Sequence, residues 1–222
     1  MRADVKSLLH AADHVLIGFD GPLCTVFDPS AARATAERLR LLLGSGLPRK
    51  VVRADDPFEV LRYANTCGEN TAYVLERQLS AYEAEAVAFG AATEGAVDAV
   101  RTLNASGHSV TAVGNQSMQT IRSFLAVHDL LDTVRRVSGR VDARTTRLLP
   151  DPFLLNQVVE ALGTVPERCL FICATAADAE AGRDAGIPVL GYGETIQRKL
   201  AAATIESMSE LVVDELINWQ VR

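Results

Sequence analysis

Five short apolar runs bounded by turn residues recur along the chain, at Val15 to Phe19, Ser109 to Val113, Val134 to Ser138, Cys169 to Cys173 and Pro188 to Tyr192, and the later ones are separated by segments with helical spacing. Strands that alternate with helices pair in parallel, because each crossover helix carries the chain back to the end of the sheet where it began. The alternation therefore predicts an α/β fold, a Rossmann-like parallel sheet with helices on both faces. Apolar periodicity predicts the helices over 94–106, 117–127, 152–163 and 176–186, and Asp151-Pro152 reads as an N-cap followed by proline in the first turn. One more helix is expected near 208–219, with Trp219 packed in it.

The first run breaks the rule. From Phe27 to about Ala91 the sequence reads as helix throughout, over 30–43, 57–66 and 70–89, with Leu75, Leu79, Tyr82, Ala86 and Phe89 along one face of the last. That is far too long for a βα connection. We expect an all-helical cap over 27–91 inserted into a core made of 1–26 and 92–222, lying over the carboxyl ends of the strands, where open α/β sheets bind ligands.

The 222 residues are 48% apolar, with 22 Lys+Arg against 28 Asp+Glu, and a chain of this size buries about 70% of the surface its unfolded form exposes. A formal charge of −6 without a basic cluster excludes a general nucleic-acid binder. No run reaches the ~18 apolar residues of a membrane span, and charges interrupt the first twenty positions, so a cytoplasmic protein is expected, with no membrane partner. Cys24, Cys67, Cys169 and Cys173 are too scattered for a disulfide framework. Cys169 and Cys173 lie ~13 Å apart if their run is a strand, too far to share one zinc ion, and read as buried thiols. His10, His14, His108 and His128 show no ligand spacing and are expected at solvated positions, and Tyr63, Tyr73 and Tyr82 are expected as packing residues of the cap.

The strand ends carry the chemistry. The first closes in GFDGPLC and the later ones in VGNQS, RLLPDP and ICATAADAEAGRDAGIPVLGY. In order and spacing this resembles the haloacid dehalogenase (HAD) superfamily of phosphatases, in the subclass with a helical cap after the first motif. The resemblance runs from about Val15 to Leu211. It implies the fold just described and, for the family, hydrolysis of phosphate esters through an aspartyl-phosphate with Mg²⁺.

Four functional side chains that the resemblance implies are missing from this chain. The family's first motif is Asp-x-Asp-Gly-Thr, nucleophile first and acid/base second, and the match here is Gly18, Phe19, Asp20, Gly21 and Pro22. Gly114 stands where the family has a phosphate-binding Ser or Thr, and Leu149 stands where it has a Lys. In the fourth motif Ala174 replaces the first metal-binding Asp while Asp178 keeps the second. The expectation is thus a pseudoenzyme for phosphatase chemistry, with no cofactor and Mg²⁺ lost. Arg147, Ser117 and Thr175 are close enough in sequence to compensate in part, but none restores a nucleophile.

The cleft is expected to bind a small organic molecule, lined by Gly18, Phe19, Gly114, Asn115, Leu149, Ala174 and Asp178. Asp20 would serve as catalytic acid/base in a metal-independent cyclisation, dehydration or isomerisation. Burial without a metal would raise the Asp20 pKa. Its bland reading is a turn carboxylate that accepts backbone N–H groups, and Asn115 and Asp178 have similar readings as turn and first-turn helix residues. The alternative function is a non-catalytic binding or scaffolding partner for another protein, and a residual phosphatase stands third. The stretch Gly-Tyr-Gly-Glu-Thr at 191–195 lacks the third glycine of a dinucleotide loop.

Overall fold

The computed structural model describes residues 1–193, 196 and 199–212. In chain order these form α1 (Ala3–Ala11), β1 (His14–Gly18), α2 (Pro29–Leu43), α3 (Arg49–Val52), α4 (Pro57–Thr66), α5 (Glu69–Phe89), α6 (Ala96–Ala105), β2 (Ser109–Ser117) and α7 (Met118–Val127). There follow β3 (Val134–Arg140), α8 (Phe153–Leu162), β4 (Cys169–Cys173), α9 (Ala176–Asp184), β5 (Val189–Tyr192) and β6 (Ala203–Ile205).

Among the described residues the sheet has six strands, all parallel, in the order β3-β2-β1-β4-β5-β6. The expected α/β architecture is therefore present. β1 is central and its Val15, Leu16 and Ile17 are fully buried, as a parallel strand covered on both faces must be. One face packs on α1, α6 and α7 through Val15, Ile17, Val100 and Phe124; the other packs on α8 and α9 through Leu16, Leu155, Phe171 and Ala179.

Helices α2 to α5 form a lobe with a small core of its own, including Leu39, Val60, Leu61, Leu75 and Leu79. Local signals start two of them. Asp28 accepts the N–H groups of Ser30 and Ala31 ahead of α2, and Asp56 accepts that of Phe58 at 2.8 Å ahead of α4, each with proline next in sequence. α5 runs out of the lobe and onto α7, so its far end, at Val87, belongs to the sheet's core.

Several expectations are corrected. Phe89 does not share the buried face of α5: it is 92% exposed, and the inward stripe is Ala72, Leu75, Leu79, Glu83 and Val87. The stripe is rotated because a charged residue, Glu83, is buried against an arginine of the core. His108 is buried, not solvated; its Nε2 lies 3.0 Å from the Leu9 carbonyl and its Nδ1 2.9 Å from Ser106 Oγ, tying α1 to the turn before β2. α1, α3 and β6 were not anticipated. Of the helix expected near 208–219, the described part is a single 3-10 turn at Met208–Leu211, closed by a capping box between Ser207 and Glu210. The rest, with Trp219, lies outside the described residues, as do Glu194 and Thr195 of the 191–195 stretch. Among the described residues no helix is long and apolar enough to cross a membrane.

Candidate functional site

Parallel register assembles the site. Ile17 pairs with Ala112 on one side and Ile172 on the other, so β1 and β4 end side by side next to Gly114 of β2, and the loops that follow open one cleft. The cleft has a volume of about 600 Å³ between these strand ends and the start of α4. Gly18, Phe19, Asp20 and Gly114 line it, and so do Asn115, Leu149, Ala174 and Asp178, so every site residue read from the sequence converges here.

After β1 the chain folds back at once. Phe19 N–H donates to Val113 O at 2.7 Å, Gly21 N–H to Cys24 O at 2.7 Å, and Cys24 N–H to Phe19 O at 3.1 Å. Gly21 has φ +95°, and a Cβ there would lie 2.4 Å from the Ala174 methyl, so glycine is required by conformation and by contact. Asp20 is held inside this loop: Oδ1 accepts Val26 N–H at 3.1 Å and Oδ2 accepts Gln116 Nε2–H at 3.4 Å. It faces the cleft's solvent, yet the protein crowded around it raises its carboxyl pKa, with the Val26 hydrogen bond pulling back and the charge of Asp56 pushing further.

Asp178 sits in the first turn of α9, where Thr175 caps the helix by accepting Asp178 N–H at 3.1 Å. Burial pushes its carboxyl up to about 6, the Thr175 hydrogen bond opposes, and the Asp20 charge adds. Asn115 is a structural clamp. Its Oδ1 accepts Leu149 N–H at 2.7 Å and its Nδ2 donates to Leu149 O at 3.1 Å, fixing the loop that forms one cleft wall.

The positions where the family pattern is missing are not holes. An ideal Cβ on Gly18 would stand 3.1 Å from Ile172 O and 3.4 Å from Pro22 Cγ. One on Gly114 would stand 2.7 Å from Gln116 Oε1 and 2.9 Å from Phe19 Cβ. Of the three neighbours considered as substitutes, only Thr175 lines the cleft. Ser117 is buried and caps α7, and Arg147 lies outside, stacked on Phe153.

Sequence reasoning missed the opposite wall. Asp56, Phe58 and Arg62 come from α4 and its cap, Phe27 from the segment before α2, and Gln116 from β2. Burial raises the Asp56 pKa, and Arg62 stands 3.8 Å away. The Asp56-Pro57 cap was visible in the sequence, but its position over the sheet depends on how the lobe docks. The packing role expected of the cap tyrosines fails for Tyr73, which is 56% exposed, and holds for Tyr82, which packs on the lobe's core under Arg38.

A buried polar cluster behind the cleft ties the lobe to the core, beside the apolar contact of α5 with α7 and a 2.7 Å bond from Asn65 Nδ2–H to Ala143 O. Arg140, at the end of β3, spends all five N–H donors: on Glu83 Oε1 and Oε2 at 2.9 and 3.1 Å, Glu76 at 3.1 Å, Ser80 at 3.0 Å and Asn115 O at 2.7 Å. Glu83 also accepts Ser117 N–H, and the Arg140 guanidinium stacks 5.6 Å from the Phe58 ring. Burial raises the Glu83 carboxyl pKa, and the Arg140 charge offsets part of that rise.

The family model described as haloacid dehalogenase-like hydrolase matches residues 55–192. The chain belongs to the haloacid dehalogenase-like hydrolase family. A phosphoglycolate phosphatase of Salmonella choleraesuis is 31% identical over 121 residues, 52% of this chain and 47% of that protein. One from Salmonella typhi is 30% identical over the same length. The chain thus spans about half the length of the curated relatives it matches. A HAD-superfamily hydrolase of subfamily IA, variant 1, from Geobacter sulfurreducens superposes with a TM-score of 0.62 at 22% identity, covering 93% of this chain and 97% of that one. The β-phosphoglucomutase of Clostridium difficile gives 0.67 at 16% identity, with 95% and 100% covered. At these identities the two structures speak to fold alone.

Proposed function

We propose that this HAD-like protein has left aspartyl-phosphate chemistry and uses its cleft, without a metal, to bind a small organic molecule and to move a proton at Asp20. In this reading 27–91 act as the cap and 1–26 with 92–222 as the core, in the cytoplasm, where the buried thiols of Cys24, Cys169 and Cys173 persist unpaired. The observation that carries it is the end of β1. Gly18 offers no nucleophile, and a side chain at that point would stand 3.1 Å from Ile172 O. Hydrolysis of phosphate monoesters demands accelerations up to about 10²¹, supplied by nucleophile, metal and positioned charge. A glycine supplies none of these.

The divalent cation that the family implies does not fit these residues. Among the described residues no three His, Cys, Asp or Glu side chains converge on one point. The Ala174 methyl is pressed against Gly21, so the place of the fourth motif's first carboxylate is taken by a group that cannot ligate, and Gly18 offers no carboxylate opposite it. What remains is suited to proton transfer. A carboxyl whose pKa is raised by the protein crowded around it exchanges its proton nearer to neutrality and can accept or donate it in a cyclisation, dehydration or isomerisation. The open cleft favours this over a scaffolding role, which needs no cavity.

Phosphoglycolate, named for the relatives, and an aryl phosphate are the substrates for the test, each with and without Mg²⁺. The expected result is no phosphate release above the blank, no phosphorylated protein by intact-mass spectrometry and no heat on titrating Mg²⁺. Magnesium-dependent release of phosphate would overturn the reading.

A further inference from the structure

The cleft has a charge and hydrogen-bond inventory opposite to that of a phosphate site. Its titratable and charged lining is Asp20, Asp56, Asp178 and Arg62, with the buried Cys24 and Cys173 thiols behind. Arg62 is engaged with Asp56. Among the described residues the charge acting on Asp178 is that of Asp20, another anion. Two carboxylates thus face the same space, and the one cationic side chain of the described lining is turned to a third.

A second observation points to a ligand independently. Gln116 is 2% exposed and lines the cleft floor, its Nε2–H turned to Asp20 and its Oε1 lying over Gly114, and that oxygen has no hydrogen-bond partner. A buried acceptor left unpaired costs stability, so its partner is expected from what the cleft holds. A phosphate brings acceptors and negative charge, and would pair with neither Gln116 Oε1 nor the carboxylates. An ammonium or guanidinium brings N–H donors and positive charge. The ring of Phe58 and the side chains of Phe27 and Leu149 supply apolar walls for the carbon part of such a molecule.

Resting on the metal-free reading above and naming its ligand class, we infer that the cleft takes a small organic cation whose N–H groups are shared among Asp20, Asp178 and Gln116 Oε1. The test is calorimetric titration of the whole protein with a matched series: n-butylammonium, n-butylguanidinium, n-butanol and n-butyl phosphate. At least one of the two cations binds, and the alcohol and the phosphate bind about tenfold more weakly or not at all, a gap of ~1.4 kcal/mol. Gln116→Met, which keeps the length and removes the acceptor, and Asp178→Asn each weaken cation binding by about tenfold. Equal binding of butanol, tighter binding of butyl phosphate, or unchanged cation affinity in both variants overturns the inference. The wild-type series alone decides if the variants fail to fold. Absence of cation binding with phosphate release still at the blank removes this inference and leaves the metal-free reading standing. Magnesium-dependent hydrolysis of butyl phosphate removes that reading itself.

Discussion

Replacing Asp178 by asparagine gives the most quantitative check on the electrostatics of the cleft. Burial moves this carboxyl from 3.8 to about 6 in the folded protein. A folded-state pKa above the unfolded one means that the native form holds the proton more tightly. The stabilisation is complete below pH ~4 and is lost as pH rises through 6. Roughly two pKa units at ~1.36 kcal/mol each amount to about 2–3 kcal/mol that the wild type gives up between pH 4 and 7. Asparagine carries no such dependence and removes the repulsion with Asp20. Urea unfolding of both proteins at pH 4, 5, 6 and 7 should therefore show the stability difference, Asp178→Asn minus wild type, climbing by about 2–3 kcal/mol across the series. In thermal unfolding that is about 5–10 °C for a chain of this size. A difference that stays flat with pH would refute the reasoning, because it would mean that the carboxylate is solvated as well in the native state as in the unfolded one.

Glu83→Ala should cost ~3–5 kcal/mol in chemical denaturation, since it takes the bidentate carboxylate from an Arg140 guanidinium whose side chain is 1% exposed and leaves Ser117 N–H without its acceptor. The double replacement Glu83→Met with Arg140→Met should recover only part of that loss, because Ser117 N–H and the Asn115 carbonyl stay unpaired, and a single variant within ~1 kcal/mol of wild type would show that the pair is not an anchor. Gly114→Thr should destabilise by ~1–3 kcal/mol, because its Cβ meets Gln116 Oε1 and Phe19 Cβ, and adding Gln116→Ser should relieve most of that; melting temperatures of the single and double variants decide. Asn115→Ala should lose ~1–3 kcal/mol through its two bonds to Leu149, measured by the same denaturation, and an unchanged midpoint would count against a clamping role.

The sheet was legible because strand identity is a local property: buried parallel strands announce themselves as apolar runs such as Val15 to Phe19. That Gly18, Gly114 and Ala174 lie together was legible for the same reason, since parallel register sets the three strands side by side. Short or weakly patterned elements escaped. α1 buries only Val5 and Leu9, and β6 is three residues long. The face of α5 was misread because helical periodicity cannot tell two neighbouring stripes apart when the inward one contains a glutamate, and the Arg140 partner lies 57 residues further along the chain. Asp56, Phe58 and Arg62 were invisible as site residues because the docking of the lobe brings them there. Gln116 carried a signal that could have been used: a long polar side chain two positions from a glycine that stands where a hydroxyl residue is usual has room to fold back into that space.

The arginine cluster also bears on how anything reaches the cleft. Lifting the helical lobe off the sheet would part Arg140 from Glu83, Glu76 and Ser80 in one movement. Parting exposes both charges to water, so the pair itself resists the movement less than the ~3–5 kcal/mol lost when one partner is deleted from the closed site. The cleft already opens to solvent at Asp20, so a small ligand enters and leaves without that movement, and loosening Glu83 should lower stability while leaving exchange unchanged.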